Sequence, residues 1–264
     1  MTTQKLRVLD LFSGIGGFSL GVERSRTPCG IAGFETVAFC EIEEFPRKVL
    51  AKHWPEVPCY HDVTKLTGSI LAADGITVDV ITGGFPCQDI SIAGRQAGIG
   101  GGTRSGLWSE CIRLIGELQP KYALFENVSN LLSGPYERPG GWFSTILSDL
   151  AGEGYDAEWA DIPASYIGAW HRRGRVWLLA YPNKISGQQG RTQEPILRQS
   201  YVSKQSKGAF EKWAGRSSIP KSSICGRHDG IPDVPHRIAS LGNAVVPQIP
   251  ELIGNAILAA EAST

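Results

Sequence analysis

One cysteine of this chain stands where a reactive thiol would have to be. Residues 83–91 read Gly-Gly-Phe-Pro-Cys-Gln-Asp-Ile-Ser, directly after the apolar run Val78-Asp79-Val80-Ile81-Thr82. A strand that ends in a turn stiffened by glycine and proline puts Cys87 at the carboxyl end of a buried strand, where α/β sheets bind ligands. The competing reading is a buried structural cysteine. A free thiol is only about 3 % ionised at pH 7, so a nucleophilic Cys87 needs a neighbour that activates it or its substrate. Glu126, in Phe125-Glu126-Asn127-Val128, follows a second apolar strand and should project from the same sheet edge. Buried beside a cysteine, it would hold its proton more tightly and could donate it to a substrate nitrogen. Alone, it could equally be a hydrogen-bond partner for a neighbouring loop. His171-Arg172-Arg173-Gly174-Arg175 precedes the apolar run Val176 to Tyr181. Arg173 and Arg175 share one face if that strand begins early, and could hold a substrate carbonyl or phosphate and keep Glu126 in place. An exposed basic turn is the alternative.

A second constellation lies upstream. Asp10-Leu-Phe-Ser-Gly-Ile-Gly-Gly-Phe-Ser-Leu-Gly21 reads as a strand end, a glycine turn and a helix start. Glycines 14, 16 and 17 let the backbone approach a nucleotide-like ligand. It is not the dinucleotide fingerprint, which would need glycine where Ser19 stands. Glu41 follows the second strand at a spacing that suits a carboxylate on ribose hydroxyls. Asp62, after the next turn, is placed to meet an adenine amine. For both acids the alternative is a helix N-terminal position. Asp89 to Gly106 carries six glycines and reads as a mobile lid, in which Arg95 and Arg104 could touch phosphate.

The elements that must position these residues alternate. Strand patterns cover Arg7 to Phe12, Thr36 to Cys40, Val78 to Thr82, Tyr122 to Phe125, Ala157 to Ile162 and Val176 to Tyr181. Helical spacing covers Gly17 to Arg26, Glu43 to His53, Leu107 to Leu118, Gly141 to Gly152 and Pro247 to Ala260. Such alternation predicts an α/β fold, a mainly parallel sheet with helices on both faces. The 264 residues suit one large domain, at 42 % hydrophobic and 20 % charged. No apolar run reaches the roughly 20 residues of a membrane span. The start does not read as a signal peptide. Six cysteines without a Cys-x-x-Cys pair argue against zinc and suit free thiols in a cytoplasmic protein.

The alternation stops after Pro182. Residues 183–228 hold only seven Leu, Ile, Val or Phe in 46, too few for a core of their own. They carry nine Lys or Arg against two acids, a net +7 that leaves −7 on the rest of a formally neutral chain. That asymmetry suggests a basic face for a polyanion, the alternative being a solvated insertion. The segment is expected to rest, partly ordered, on the main body. The expected division is therefore 1–182 as a core, 183–228 as a basic insertion and 229–264 returning to the core.

In content and order these motifs resemble the DNA (cytosine-5)-methyltransferase family. The matching blocks are Asp10-Leu-Phe-Ser-Gly-Ile-Gly-Gly, Glu41, Asp62, Gly84-Phe-Pro-Cys-Gln, Glu126-Asn-Val, Arg173-Gly-Arg175 and Gly242-Asn-Ala-Val-Val-Pro247, within residues 5–182 and 229–258. The resemblance implies a Rossmann-like methyltransferase sheet, S-adenosyl-L-methionine as methyl donor, S-adenosyl-L-homocysteine as product and no metal. It implies that Cys87 attacks C6 of a cytosine flipped from double-stranded DNA. Glu126 would hold and protonate N3, and Arg173 and Arg175 would support O2 and the adduct. The donor would lie against Phe12, Ser13, Gly14 and Gly16, with Glu41 on ribose, Ile42 beside adenine and Asp62 on its amine. Pro86, Leu107, Asn243 and Ala244 would close its methionine side. Gln88, Ser91, Arg95, Arg104 and Arg172 are the candidate DNA contacts, and 183–228 becomes a reduced target-recognition segment. A monomeric bacterial, prophage or phage enzyme, with a cognate restriction endonuclease as a possible companion, fits this pattern. The chain departs from it at His171, where glutamine is usual, at Gly174, often an acid, and at Ile42, commonly aromatic. The alternatives are an RNA cytosine-5 methyltransferase, a nicotinamide-dependent oxidoreductase and a non-catalytic DNA-binding protein.

Overall fold

The computed structural model describes residues 4–86, 106–134, 140–169, 173–183, 195–197, 240 and 242–263. Seven strands form one sheet: β1 (Leu6–Leu11), β2 (Phe34–Cys40), β3 (Cys59–Tyr60), β4 (Val80–Gly83), β5 (Tyr122–Val128), β6 (Tyr155–Asp161) and β7 (Arg175–Pro182). Their spatial order is β3-β2-β1-β4-β5-β7-β6. β3, β2, β1, β4 and β5 run parallel, and β7 inserts antiparallel between β5 and β6. Among the described residues the α-helices that accompany it are α1 (Gly17–Arg24), α2 (Glu44–His53), α3 (Gly68–Ala73), α4 (Leu107–Leu118), α5 (Gly141–Gly152) and α6 (Gln248–Glu261).

The period of two along each strand sorts side chains into two cores. Leu9, Leu11, Ile81, Ala123, Phe125, Val176 and Leu178 face one side, where Leu71 of α3, Trp108 and Leu114 of α4 and Ile146 and Leu150 of α5 cover them. Leu6, Val8, Val80, Leu124, Trp177 and Leu179 face the other, under Phe18 and Val22 of α1 and Ile249, Ile253 and Ile257 of α6. Both faces are buried, so the strands read as continuous apolar runs. Glu126 and Arg175 fall on the α1–α6 face by the same parity, as do Asp10 and Thr82.

α1 and α6 meet closely. A Cβ on Gly21 would lie 2.3 Å from the Pro247 carbonyl oxygen, and one on Gly17 2.7 Å from that of Val245. Glycine at both positions lets α1 lie against the chain that leads into α6.

The α/β expectation holds, with corrections at the edges. Strand β5 runs on through Glu126 to Val128, because Asn127 and Val128 pair with Val176 and Arg175. Glu126 therefore lies inside its strand, not after it. β7 begins only at Arg175, so Arg173 stands before it. Strand β3 and helix α3 lack a periodic signal because each is very short. Of the basic insertion, the described residues 195–197 dock on edge strand β6. Amides of Ile196 and Leu197 donate to the Glu158 carboxylate at 3.1 and 2.9 Å, and Leu197 is buried. Pro195 and Leu197 line a cavity of about 580 Å³ along Ala157 to Asp161, at the β6 edge of the sheet and away from the glycine turn. No helix among the described residues is long and apolar enough to cross a membrane.

Candidate active site

The parallel strands β1, β2, β3 and β4 end along one edge of the sheet, and there the sequence motifs converge. After β1 the chain turns through Phe12 at φ 51° and Gly14 and Gly16 at 52° and 84°. A left-handed phenylalanine is strained and persists only where the surroundings enforce it. The enforcing contacts come from β2 and from β1 itself. The Ser13 amide donates to the Cys40 carbonyl at 3.2 Å, and its hydroxyl donates to the Asp10 carbonyl at 2.5 Å. Ser13 thus turns its hydroxyl into the protein. At Gly16 a Cβ would meet the Trp54 ring at 2.6 Å. The ring is held by a 3.0 Å bond from its indole N–H to Glu23.

Glu41, 7 % exposed, spans two loops. One carboxylate oxygen accepts from the Gly14 amide at 2.7 Å, the other from Glu43 at 2.8 Å. Beside it Ile42 is 69 % exposed. Asp62 accepts from the Thr64 hydroxyl at 2.7 Å and its amide at 3.0 Å, which hold its carboxyl below the usual range. It caps its own turn, not a helix, since the next helix starts at Gly68 behind Thr67, and its other oxygen faces Lys65 at 3.6 Å.

Beyond β1, strand β4 leads through Gly83, Gly84, Phe85 and Pro86 towards Cys87. Phe85 anchors this exit. Its ring packs on Trp108 and Phe125 with centroids 5.1 and 6.2 Å apart, and Trp108 packs on Phe125 at 5.3 Å. Each such pair contributes about 1 kcal/mol beyond burial. The Asn127 side-chain amide donates to the Phe85 carbonyl at 3.2 Å. Cys87 itself lies outside the described residues, as do Gln88, Ser91, Arg95, Arg104 and Arg172 and the proposed lid.

Glu126, on β5 beside β4, is largely buried and pairs with Arg175 Nε at 2.8 Å. Burial raises its pKa, against the pull of Arg175 and Arg173. The ion pair runs diagonally between β5 and β7, since Trp177 is the direct partner of Glu126 and Val128 that of Arg175. A Cβ on Gly84 would lie 3.5 Å from the Glu126 carboxylate, so β4 passes close to it. Arg173 takes φ 33° and sends Nη2 to the Ala244 carbonyl at 2.8 Å. Burial lowers its pKa, as does neighbouring Arg175. Ala244 is thereby tied to the Glu126 side of the edge, while Asn243 beside it is exposed and Leu107 opens α4 half-buried. Among the described residues three non-glycines have positive φ. Gln119 is explained as the cap of α4. The other two, Phe12 and Arg173, flank the site, where such strain is typically kept.

Two participants escaped the sequence reading. Asn127 stands out in sequence only within its motif, though a polar residue in an apolar strand is a signal of a buried partner. Asp10 carried the same signal. It is fully buried, its carboxylate accepting from the hydroxyls of Thr82 and Ser19 at 2.8 Å each. Burial drives its pKa up to about 7.

The family model for C-5 cytosine-specific DNA methylase matches residues 6–224. That match runs through the basic insertion, which the motifs alone left out, and stops before the Gly242 block. The type II methyltransferase M.CviJI of Paramecium bursaria Chlorella virus IL3A is 37 % identical over 174 residues, 66 % of this chain and 42 % of the relative. M.Sau3AI of Staphylococcus aureus is 31 % identical over 235 residues, 83 % of this chain and 54 % of the relative. The chain thus spans about half the length of the curated relatives it matches. A crystal structure described as a DNA modification methyltransferase encoded within a prophage (E. coli) superposes with a TM-score of 0.56 at 29 % identity, over 69 % of this chain and 48 % of that one. The sheet order, the converging strand ends and the family match over most of the length lead to one conclusion: this chain belongs to the C-5 cytosine-specific DNA methylase family.

Proposed function

We propose that the chain is a DNA (cytosine-5)-methyltransferase acting on a cytosine flipped out of duplex DNA. The observation that carries this reading is Glu126. It is a buried carboxyl with a raised pKa, paired to Arg175 at 2.8 Å, on the strand beside the one that leads to Cys87. An acid held more tightly to its proton in this way is suited to donating it to a ring nitrogen.

The residues at the neighbouring strand ends fit S-adenosyl-L-methionine. Each Glu41 oxygen accepts one amide and retains a lone pair for a ribose hydroxyl. Exposed Ile42 offers an apolar face to adenine, and Asp62 is the acceptor for its amine. Phe12, Gly14 and Gly16 bring backbone to the donor, with Ser13 shaping the turn from inside. Pro86, Leu107, Asn243 and Ala244 border the methionine end. When bound, the donor supplies an electrophilic methyl group.

The chain's own groups prepare the base. Cys87 thiolate adds to C6, forming the carbon–sulfur bond and pushing electrons toward N3. Glu126 donates its proton to N3, so the ring becomes an enamine nucleophilic at C5. Arg173 and Arg175 hold O2 and keep Glu126 oriented. After C5 is methylated, its proton passes to water, the C–S electrons return to the Cys87 thiolate and N3 gives its proton back to Glu126, which restores the aromatic ring. Gln88, Ser91, Arg95, Arg104 and Arg172 contact the DNA, and 183–228 serves as a reduced target-recognition segment beside the core 1–182 and the returning 229–264. The relatives' designation as type II methyltransferases supports a restriction-modification setting; a cognate endonuclease, a cytoplasmic site of action and a monomeric enzyme complete the proposal.

The test uses a pool of duplexes containing 5-fluorocytosine, whose C5 cannot lose a proton. With S-adenosyl-L-methionine, the full chain should form a denaturation-resistant DNA complex, absent in Cys87→Ala and slowed about 100-fold or more in Glu126→Gln. Neither adduct nor methyl transfer on any duplex overturns the reading.

A further inference from the structure

Asp10 is a carboxylate that the proposed chemistry does not use, and its contacts lie between the two halves of the site. It sits on β1, fully buried on the α1–α6 face. One oxygen accepts from Thr82 of β4, directly opposite in register, and the other from Ser19 of α1, both at 2.8 Å. Its own carbonyl accepts from the Ser13 hydroxyl at 2.5 Å, in the strained turn that follows. Two residues beyond Thr82 the chain reaches Gly84, beside Glu126. One side chain therefore grips the strand before the glycine turn, the helix after it and the strand leading to Cys87.

We propose that Asp10 is a positioning residue coupling the methyl-donor turn to the end of β4, holding both firmly when ionised and loosely when protonated. This rests on the donor-site reading above. Hydrogen bonds to a carboxylate are roughly twice as strong as those between neutral groups. On protonation the carboxyl must itself donate to one hydroxyl, which then has to reverse its role. A carboxyl in this apolar setting, raised to about 7, switches near neutral pH rather than in acid. Glu41 at the end of β2 is the charged group bearing on it and adds to the upward shift; the Cys59 thiol of β3 is the next titratable neighbour. α1 and β4 present Ser19 and Thr82.

The test is calorimetric binding of S-adenosyl-L-methionine to the full chain between about pH 6 and pH 8.5, a window that brackets the switch. Wild-type affinity should weaken at least about fivefold towards acid, the lower end of ordinary coupling between sites. Asp10→Asn should remove the Asp10 inflection. Thr82→Val keeps the carboxyl but removes one donor, so the midpoint should move to higher pH, and this variant carries the test if Asp10→Asn does not fold. A merely structural Asp10 would lower stability in the variants without moving a midpoint. A wild type that binds with no pH dependence, or an inflection unchanged in both variants, overturns the inference alone. A wild type that binds no donor at any pH overturns the donor-site reading with it.

Discussion

Replacing Gly21 by alanine opposes two effects whose sizes can be compared. Gly21 lies in the middle of α1, where alanine is favoured over glycine by about 1 kcal/mol. Against that gain, the new Cβ would stand 2.3 Å from the Pro247 oxygen, 2.6 Å from Pro250 Cγ and 3.1 Å from the Glu251 amide. These are backbone and ring atoms, which cannot swing aside, so the cost lies near the upper end of ordinary overpacking, about 3 kcal/mol. The net is about 2 kcal/mol of destabilisation, or about 4–8 °C in Tm for a chain of this size. Gly152 is the control. It ends α5 with no atom within 4 Å of a built Cβ. There only the propensity gain remains, and Gly152→Ala should raise Tm by about 1–3 °C. Thermal unfolding of the full chain by circular dichroism reads both. Gly21→Ala melting at or above wild type would refute the claim that α1 and α6 meet without spare room. Because that seam also carries Val245 and Ala244, the destabilised variant should bind the methyl donor more weakly than the control.

Two further outcomes can be measured. The pKa of Asp10 is raised from 3.8 to about 7 on folding, so between these values the folded state binds more protons than the unfolded one. Its contribution therefore favours folding in acid and is lost as pH rises to about 7, by about 2 kcal/mol between pH 5 and pH 7. Urea unfolding of Asp10→Asn should lack that slope, and parallel curves for the two proteins would refute it. The acid form thus gains global stability while its hold on the site loosens. If 183–228 is the DNA-reading face, neutralising four of its nine lysines and arginines should reduce the slope of log affinity against log salt by about 3–4. An unchanged slope would make the segment a solvated insertion.

Much of this protein was legible in its residues because local rules and function agree there. Buried strands and amphipathic helices reveal themselves through period, so α4 and α5 were placed to the residue and the α/β class followed from alternation alone. The motif order points to the family because a cysteine, an acid and a glycine turn are each residue types that the chemistry expected of it requires. Glu126 shows the limit. Its polar pair with Asn127 ends the apolar run that sequence reads as a strand, yet β5 continues because β7 supplies partners from fifty residues away. Arg173 and Arg175 shared a motif but do different work: one reaches the Ala244 carbonyl, the other pairs with Glu126, a split set by where β7 starts. Ser13 turned inward and Asp10 became a shared acceptor only once α1 and β4 closed over β1. The kinds of side chain present, and their order, already limit the chemistry open to this chain. Which of them are desolvated and which are paired follows from the fold, because burial and hydrogen bonding depend on contacts between strands far apart in the chain.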